Sequence, residues 1–206
     1  MVKRMTIVAD KPTISVPKHR APDAAPHLDR TYTANELLRF PSRWHYELIE
    51  GYLRALIPTG NEHGACTGIF TVLVGAHILA NDLGNVYAAE TGFLLAQNPD
   101  TVKAPDFAFV ARHRAPPMTE KFAAVVPDLV LETRSPGDRK AGVEEKIAEW
   151  LSFGTKYVLD LNPAKETLTI YRPGEAPLTL TKEDTFAAED ILPGLVLPLR
   201  KVFVTR

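Results

Sequence analysis

The sequence predicts a domain of the α/β or α+β class, in which helices pack against a mixed β-sheet. The predicted elements run in the order strands, long helix, strands, helix, strands, and this alternation is typical of both classes. The length of 206 residues suits a single domain. Hydrophobic residues make up 45% and charged residues 24% of the chain, which are values of a globular protein that buries a core.

The N-terminal region predicts a tail followed by a short helix. Four prolines interrupt the first 29 residues and no apolar period develops there, so we expect 1–29 to be flexible and 30–206 to form one domain. Thr33 has the character of an N-cap, with Glu36 completing a capping box. Pro41 is expected to end this helix.

A hairpin and a long helix follow. The segment 46–56 predicts two short strands that turn at Glu50 and Gly51. Apolar residues then recur at spacings of three and four over about 62–83, which indicates a helix. Gly84 stands where a C-cap glycine is expected.

The second half of the chain predicts short strands around one helix. Apolar, proline-punctuated segments place the strands at 86–95, 106–110, 128–133, 157–161 and 168–171. The helix is expected over 138–153, with Gly154 as its stop. The turn-rich residues 162–165 indicate a hairpin between the last two strands, and 192–199 form a loop and a final apolar segment.

Composition and missing motifs exclude several classes of protein. The single cysteine, Cys66, excludes an internal disulfide framework and a multi-cysteine metal site. No apolar stretch is expected to reach the length that spans a bilayer, and no secretory signal is evident, so a cytoplasmic protein without a membrane partner is predicted. Phosphate-binding glycine loops, HExxH and GxSxG are also missing.

Two acidic residues at apolar strands are the candidates for chemistry. Asp106 begins one strand and Glu132 ends Leu-Val-Leu-Glu. A buried carboxylate needs a partner or a metal, although a charged residue can also simply mark a strand end. The two-residue strand period places Glu132 and Arg134 on one face. That pair would be a metal ligand beside a phosphate-binding cation, or part of a cross-strand salt bridge.

A second cation comes from the helix at 138–153. At 100° per residue, Val143, Ile147 and Trp150 define its buried face, and Lys146 lies on the border of that face. Lys146 is therefore the charged residue best placed to reach back over the sheet. The alternative is a lysine whose stem packs while its ammonium stays in solvent.

Taken together, these segments resemble the Uma-type putative restriction endonuclease family of the PD-(D/E)XK nuclease superfamily. The resemblance covers about 30–204 and includes Leu-Pro-Gly at 192–194. Its other motifs are Tyr-Glu-Leu-Ile-Glu-Gly at 46–51, His-Gly at 63–64, Thr-Gly-Phe at 91–93, Pro-Asp-Phe-Ala-Phe-Val at 105–110, Pro-Asp-Leu-Val-Leu-Glu at 127–132, Ser-Pro at 135–136 and Lys146.

The resemblance implies a restriction-endonuclease-like core with extra N-terminal strands. It also implies an endonuclease that hydrolyses DNA phosphodiester bonds with Mg²⁺ or Mn²⁺. Asp106 then matches the PD aspartate, Glu132 the acidic residue of the third core strand and Glu47 an upstream acidic position. These three would hold the metal, and Lys146 matches a superfamily lysine that has moved to the following helix.

The sequence departs from the family pattern at Arg134, which occupies the ancestral lysine position. A guanidinium could hold a phosphate but could hardly act as a general base, so whether Lys146 or Arg134 contacts the scissile phosphate stays open. Arg139 and His63 are further candidates for substrate binding. His63 lies near a helix N-terminus, where anions are favoured, or it is a capping or packing residue.

Basic residues in the loops around the predicted strands suggest a collar that binds DNA phosphates. Its members are Lys103, Arg112, His113, Arg114, Lys121, Arg134, Arg139 and Lys140. The formal net charge of −1 excludes a strongly basic coat protein and predicts modest affinity for DNA without metal. A homodimer is expected, because twofold assemblies are common.

Two alternatives to an active nuclease remain. A protein of nuclease fold could bind nucleic acid or a protein partner without cutting. A different hydrolase could use the carboxylates as an acid/base pair on a small substrate.

Overall fold

The computed structural model describes residues 25–41 and 43–203. The predicted tail therefore falls mostly on residues 1–24, which lie outside the described residues. The helices are α1 (Ala34–Leu37), α2 (Asn61–Ala80) and α3 (Lys140–Ser152). The strands are β1 (Tyr46–Ile49), β2 (Tyr52–Ala55), β3 (Gly84–Ala88), β4 (Phe93–Ala96), β5 (Thr101–Lys103), β6 (Phe107–Ala111), β7 (Leu129–Thr133), β8 (Tyr157–Asn162), β9 (Thr167–Tyr171), β10 (Leu178–Thr181), β11 (Thr185–Ala188) and β12 (Leu192–Pro198).

The central sheet has six strands in the order β10-β9-β8-β7-β6-β3. β7 and β8 are parallel, whereas the other neighbours are antiparallel, so the predicted mixed sheet is confirmed. A smaller sheet has the order β2-β1-β5-β4, and β11 pairs with β12. The extra N-terminal strands β1 and β2 thus belong to the smaller sheet.

The two long helices cover opposite faces of the central sheet. Phe70 and Val74 of α2 pack in one cluster with Leu129 and Leu131 of β7. Trp150 of α3 belongs to a separate cluster on the other face, which includes the β7 residue that alternates with those leucines. Because side chains alternate along a strand, Glu132 is directed toward α3 and Thr133 toward α2.

Several predicted elements are confirmed in detail. Thr33 caps α1, and the reciprocal bond from Glu36 completes the capping box. β1 and β2 form the predicted hairpin, with Glu50 and Gly51 at φ of 49° and 84° in its turn. α3 ends next to Gly154, and β8 pairs with β9 as predicted.

The predicted strand at 86–95 is wrong, because the chain forms two strands there. β3 pairs with β6 in the central sheet and β4 pairs with β5 in the smaller one. Glu90, at φ 70°, lies in the turn between them. β5 was missed because it has three residues and ends in a lysine, and β10 because it is short and mostly exposed.

The predicted end of α2 is also wrong. The helix stops at Ala80, and Gly84 opens β3 instead of capping the helix. A Cβ at position 84 would lie 2.1 Å from the carbonyl oxygen of Val110. Glycine is therefore required by a close backbone approach between β3 and β6 rather than by a helix cap.

α2 corrects one further expectation about the chain. Among the described residues it is the helix that is long and apolar enough to cross a membrane by length and composition. A core helix meets the same criteria, and Phe70, Val74 and Ile78 of α2 are fully buried in the cluster that α2 forms with the central sheet.

Candidate active site

Asp106 immediately precedes β6, and Glu132 lies on β7, the neighbouring strand of the central sheet. β6 and β7 pair with Phe107 opposite Leu131. The Asp106 backbone N–H donates to the carbonyl of Leu131 at 3.1 Å. Its Oδ2 accepts a 2.7 Å hydrogen bond from the backbone N–H of Thr133. The Asp106 carboxylate therefore lies against the peptide bond that follows Glu132.

Glu132 is held by two groups from α3. Its side chain is 13% exposed. Oε1 accepts a 2.7 Å hydrogen bond from the indole Nε1 of Trp150, and Oε2 lies 3.5 Å from Nζ of Lys146. Burial raises the pKa of Glu132 to about 7, against the opposing charge of Lys146 and with the help of the negative charges of Glu47 and Asp106. A cation close to this carboxylate would favour its charged form.

Lys146 lies on the border of the buried face of α3, where the helical period predicted it. Its side chain is 40% exposed. Burial would lower the pKa of Lys146, but the charges of Glu132, Glu47, Asp138 and Asp106 raise it above its usual value. The ammonium is therefore fully charged in the physiological range.

His63, on α2, approaches the carboxylate of Asp106. It is buried on α2, and its Nε2 lies 3.3 Å from Oδ2 of Asp106. Burial lowers the pKa of His63, but the hydrogen bond and charge of Asp106 raise it above the usual value. One turn further along α2, the Thr67 hydroxyl bonds to that of Thr133 at 2.8 Å, which ties this end of α2 to β7.

Glu47 braces the segment that leads to Asp106. Its buried carboxylate accepts a 2.9 Å hydrogen bond from the backbone N–H of Ala104, through Oε1. Oε2 lies 3.8 Å from a guanidinium nitrogen of Arg54, which stands opposite Glu47 in the hairpin. Glu47 therefore reaches the site from the smaller sheet.

Arg134 is engaged by a buried carboxylate on the neighbouring strand. Its Nε bonds to Oδ1 of Asp160 at 2.7 Å, and its Nη2 bonds to Oδ2. Asp160 is almost fully buried and pairs with Glu132 in the parallel register of β7 and β8. Of the two options that the sequence offered for Arg134, the structure shows a cross-strand ion pair, with a partner that had not been identified.

A small cleft lies at the N-terminal end of α3, and Asp106, His63 and Glu47 are not among its lining residues. It is lined by Glu132, Thr133, Arg134, Asp138, Val143, Lys146 and Asp160. Arg139 is the N-cap of α3 and is exposed beside this cleft. Arg134 and Lys146 thus contribute cations to the same cleft that Glu132 lines.

The predicted basic collar is wrong for several of its members. Arg112, His113 and Arg114 follow the far end of β6, one strand length away from Asp106. Arg112 pairs there with Asp82 and Arg114 with Asp128. The prediction failed because the residues before and after a strand are separated by the length of that strand.

Lys103 is also not part of a basic collar. It is 1% exposed within β5 and forms an ion pair of 2.5 Å with Glu149 of α3. Glu149 also receives a bidentate pair from Arg54, at 2.7 and 3.1 Å. Sequence reasoning missed this network, because nothing in the sequence brings the smaller sheet next to α3. It also missed the bond from Trp150 to Glu132.

The oxygen donors fit a hard divalent cation in their chemistry. Asp106 and Glu132 offer carboxylate oxygens, and oxygen ligands are those that Mg²⁺ and Mn²⁺ prefer. The raised pKa of Glu132 marks a place where an added positive charge would be stabilising. Within residues 25–41 and 43–203, no group of three or more His, Cys, Asp or Glu side chains is arranged to hold a metal, so carbonyls and waters would have to complete the sphere.

Comparisons with known proteins give one family and one fold. A model of the family Uma2, described as "Putative restriction endonuclease", matches residues 34–200. The crystal structure of a putative nuclease belonging to DUF820 from Anabaena variabilis superposes with a TM-score of 0.71 and 19% sequence identity. The match covers 84% of this chain and 97% of the other, and at that identity it shows a shared fold. A search of curated proteins found no match.

Proposed function

The chain belongs to the Uma2 family of putative restriction endonucleases, and from that premise we propose that it is a metal-dependent endonuclease that hydrolyses DNA phosphodiester bonds. The observation that carries the proposal is the Glu132 carboxylate with the ammonium of Lys146 3.5 Å away, next to Thr133, whose backbone N–H binds the Asp106 carboxylate. The fold that this chain shares with a putative nuclease from Anabaena variabilis supports the same proposal.

Asp106 and Glu132 would hold the divalent ion, Mg²⁺ or Mn²⁺, through carboxylate oxygens. Glu47 would bind it through water, because both of its oxygens already face Ala104 and Arg54. When bound, such an ion lowers the pKa of a water molecule and neutralises charge on a phosphate. The amide of Thr133 keeps the Asp106 carboxylate oriented for this role.

Lys146 would contact the scissile phosphate. Its raised pKa keeps it protonated, so it would stabilise developing negative charge on the phosphate oxygens rather than accept a proton. Arg134 is neutralised by Asp160 and would shape the cleft. Exposed Arg139 would bind a neighbouring phosphate, and His63 would help to orient Asp106 and the bound strand.

The test is nicking of supercoiled plasmid DNA in the presence of Mg²⁺ or Mn²⁺. We expect nicking by the wild type, and loss of at least about 100-fold in Asp106→Ala, Glu132→Ala and Lys146→Ala. Glu144→Ala is the matched control, because Glu144 is exposed on the same helix as Lys146. Equal nicking by the Glu132 and Glu144 variants would remove Glu132 from the site.

A non-cleaving protein that binds nucleic acid or a protein partner is the second candidate. This candidate is favoured by Arg134, which stands at the ancestral lysine position. Its charge is already neutralised by Asp160. DNA binding without nicking in any divalent ion would make it the leading explanation.

DNA would be the substrate in the cytoplasm, and a homodimer would present two such sites to the two strands of a duplex. Light scattering would then give twice the chain mass of 22.8 kDa. A mass equal to that of one chain would reject the dimer without affecting the chemistry.

A further inference from the structure

Trp150 is a buried residue with a polar contact to the proposed site. Its side chain is fully buried, and its indole N–H donates to Oε1 of Glu132 at 2.7 Å. A buried indole N–H requires an acceptor, and a bond to a carboxylate is stronger than one to a neutral group. Apolar packing alone could be supplied by a side chain without a polar group. The bond between Trp150 and Glu132 therefore needs a separate explanation.

Trp150 and Lys146 divide the Glu132 carboxylate between them. They lie four residues apart on α3 and therefore on one face of the helix. Trp150 holds Oε1, whereas Lys146 lies 3.5 Å from Oε2. The terminal torsion of a glutamate is otherwise broad, so the indole bond fixes which oxygen faces the cleft.

Lys103 supports the indole ring from the smaller sheet. Its ammonium lies 4.7 Å from the centre of a Trp150 ring, within the range of a cation–π interaction. The same ammonium bonds to Glu149 at 2.5 Å and to the carbonyl of Lys146 at 3.4 Å. A lysine that is 1% exposed is thus committed entirely to α3.

The position of Lys103 in the chain links this support to the other carboxylates. The next residue, Ala104, donates its backbone N–H to Glu47, and Asp106 follows two residues later. Lys103 therefore joins α3, which carries Lys146 and Trp150, to the segment that carries Asp106.

We propose that Trp150 is a positioning residue, which holds Glu132 so that Oε2 is presented to the divalent ion, and that Lys103 positions the indole. This inference rests on the proposed function, because it concerns the same site. It assigns to Trp150 and Lys103 an indirect role in activity, through the orientation of Glu132, and no contact with DNA.

The central variant is Trp150→Phe, which removes the N–H and keeps an aromatic ring. Loss of such a supporting bond typically costs about 10–100-fold in metal affinity or activity. We expect Mn²⁺ affinity, measured by electron paramagnetic resonance of free Mn²⁺, to fall by about that factor. The kcat of nicking should fall likewise, with little change in KM for plasmid DNA. Trp44→Phe, the same substitution at the other tryptophan of the chain, should leave both quantities unchanged.

Lys103→Met provides a second, milder variant that keeps the length of the buried stem. It should weaken Mn²⁺ binding less than Trp150→Phe does, since the indole bond itself remains. If both variants bind Mn²⁺ and nick DNA as the wild type does, the positioning role is wrong while the nuclease proposal stands. If the wild type never nicks DNA, the nuclease proposal fails, and Mn²⁺ affinity alone decides the role of Trp150.

A spectroscopic measurement keeps the inference testable should Trp150→Phe fail to fold. The indole ¹⁵N–¹H resonance of Trp150 can be assigned in Trp44→Phe, where no other tryptophan remains. We expect Mg²⁺ to shift this resonance, and Glu132→Ala to abolish the response. A resonance that ignores both Mg²⁺ and the Glu132 substitution would overturn the proposal.

Discussion

Glu132 links the charge balance of the site to the pH dependence of folding. Its pKa in the folded protein is about 7, above the ordinary 4.5, because burial disfavours the charged carboxylate and the charges of Glu47 and Asp106 add to the effect. The folded protein therefore binds a proton at this group more tightly than the unfolded chain does. Its contribution to stability is complete below about pH 4.5 and is lost as the pH rises through about 7, by about 3 kcal/mol in all.

Glu132→Gln should remove this loss. We expect the free energy of unfolding of the wild type to fall between about pH 4.5 and 7 relative to that of the variant, so that the variant is the more stable protein at pH 8. Urea unfolding at several pH values measures both curves. Glu144→Gln, at an exposed position of α3, should follow the wild type. Parallel curves for the wild type and Glu132→Gln would contradict the raised pKa.

At the scale of single residues, patterns within one element were informative and partners on other elements were not. The helical period placed Lys146 beside the buried face of α3 because that period is local to the helix. The partner of Arg134 could not be predicted, since Asp160 lies in an apolar segment and meets Arg134 only through the parallel pairing of β7 and β8. Lys103 looked like a surface cation for the same reason.

At the scale of elements, the far end of β7 carries a structural ion cluster. Asp128 is fully buried, and its carboxylate meets Arg114 at 2.6 Å, Lys156 at 2.9 Å and the backbone N–H of Ala111 at 2.9 Å. Burial would raise the pKa of Asp128, but these bonds lower it below its usual value. The cluster joins the ends of β6, β7 and β8.

Asp128→Ala should therefore destabilise the protein by about 1–3 kcal/mol, because the backbone N–H of Ala111 loses its acceptor and the partly exposed Arg114 and Lys156 lose their common partner. Asp82→Asn is the control, since Asp82 also pairs with an arginine near this edge but is 74% exposed, and asparagine tolerates its φ of 53°. This variant should cost less than about 1 kcal/mol. Chemical denaturation measures both values. Similar losses in the two variants would mean that the buried cluster is not what holds the strand ends together.

Strand order and helix ends were harder to predict than the elements themselves. The hairpin turn at Glu50 and Gly51 was readable because turn chemistry is local. The role of Gly84 was not, because it depends on the carbonyl of Val110 on a strand about 25 residues later. The assignment of β3 and β4 to different sheets could not be predicted either, because it depends on which other strands they pair with.

At the scale of the whole molecule, 24 basic residues are balanced by 25 acidic ones, and several of the cations are paired with acids. Arg54, Lys103, Arg114 and Arg134 each lie within 4 Å of a carboxylate. Within residues 25–41 and 43–203, the basic groups exposed near the cleft are Lys146, Arg139 and Lys140. A duplex at the cleft would therefore meet few phosphate-binding groups from one chain.

This arrangement predicts weak dependence of DNA binding on salt. Each phosphate contact contributes about −0.9 to the slope of log K against log salt concentration, so three contacts give a slope of about −3. Fluorescence anisotropy of a labelled duplex in EDTA, where the proposed nuclease does not cut, measures this slope. Arg139→Ala should make it shallower by about 1, whereas Arg112→Ala, at the opposite edge of the sheet, should leave it unchanged. A slope of about −6 or steeper, or a larger effect of Arg112, would mean that DNA binds across the far edge of the sheet, away from Asp106 and Glu132.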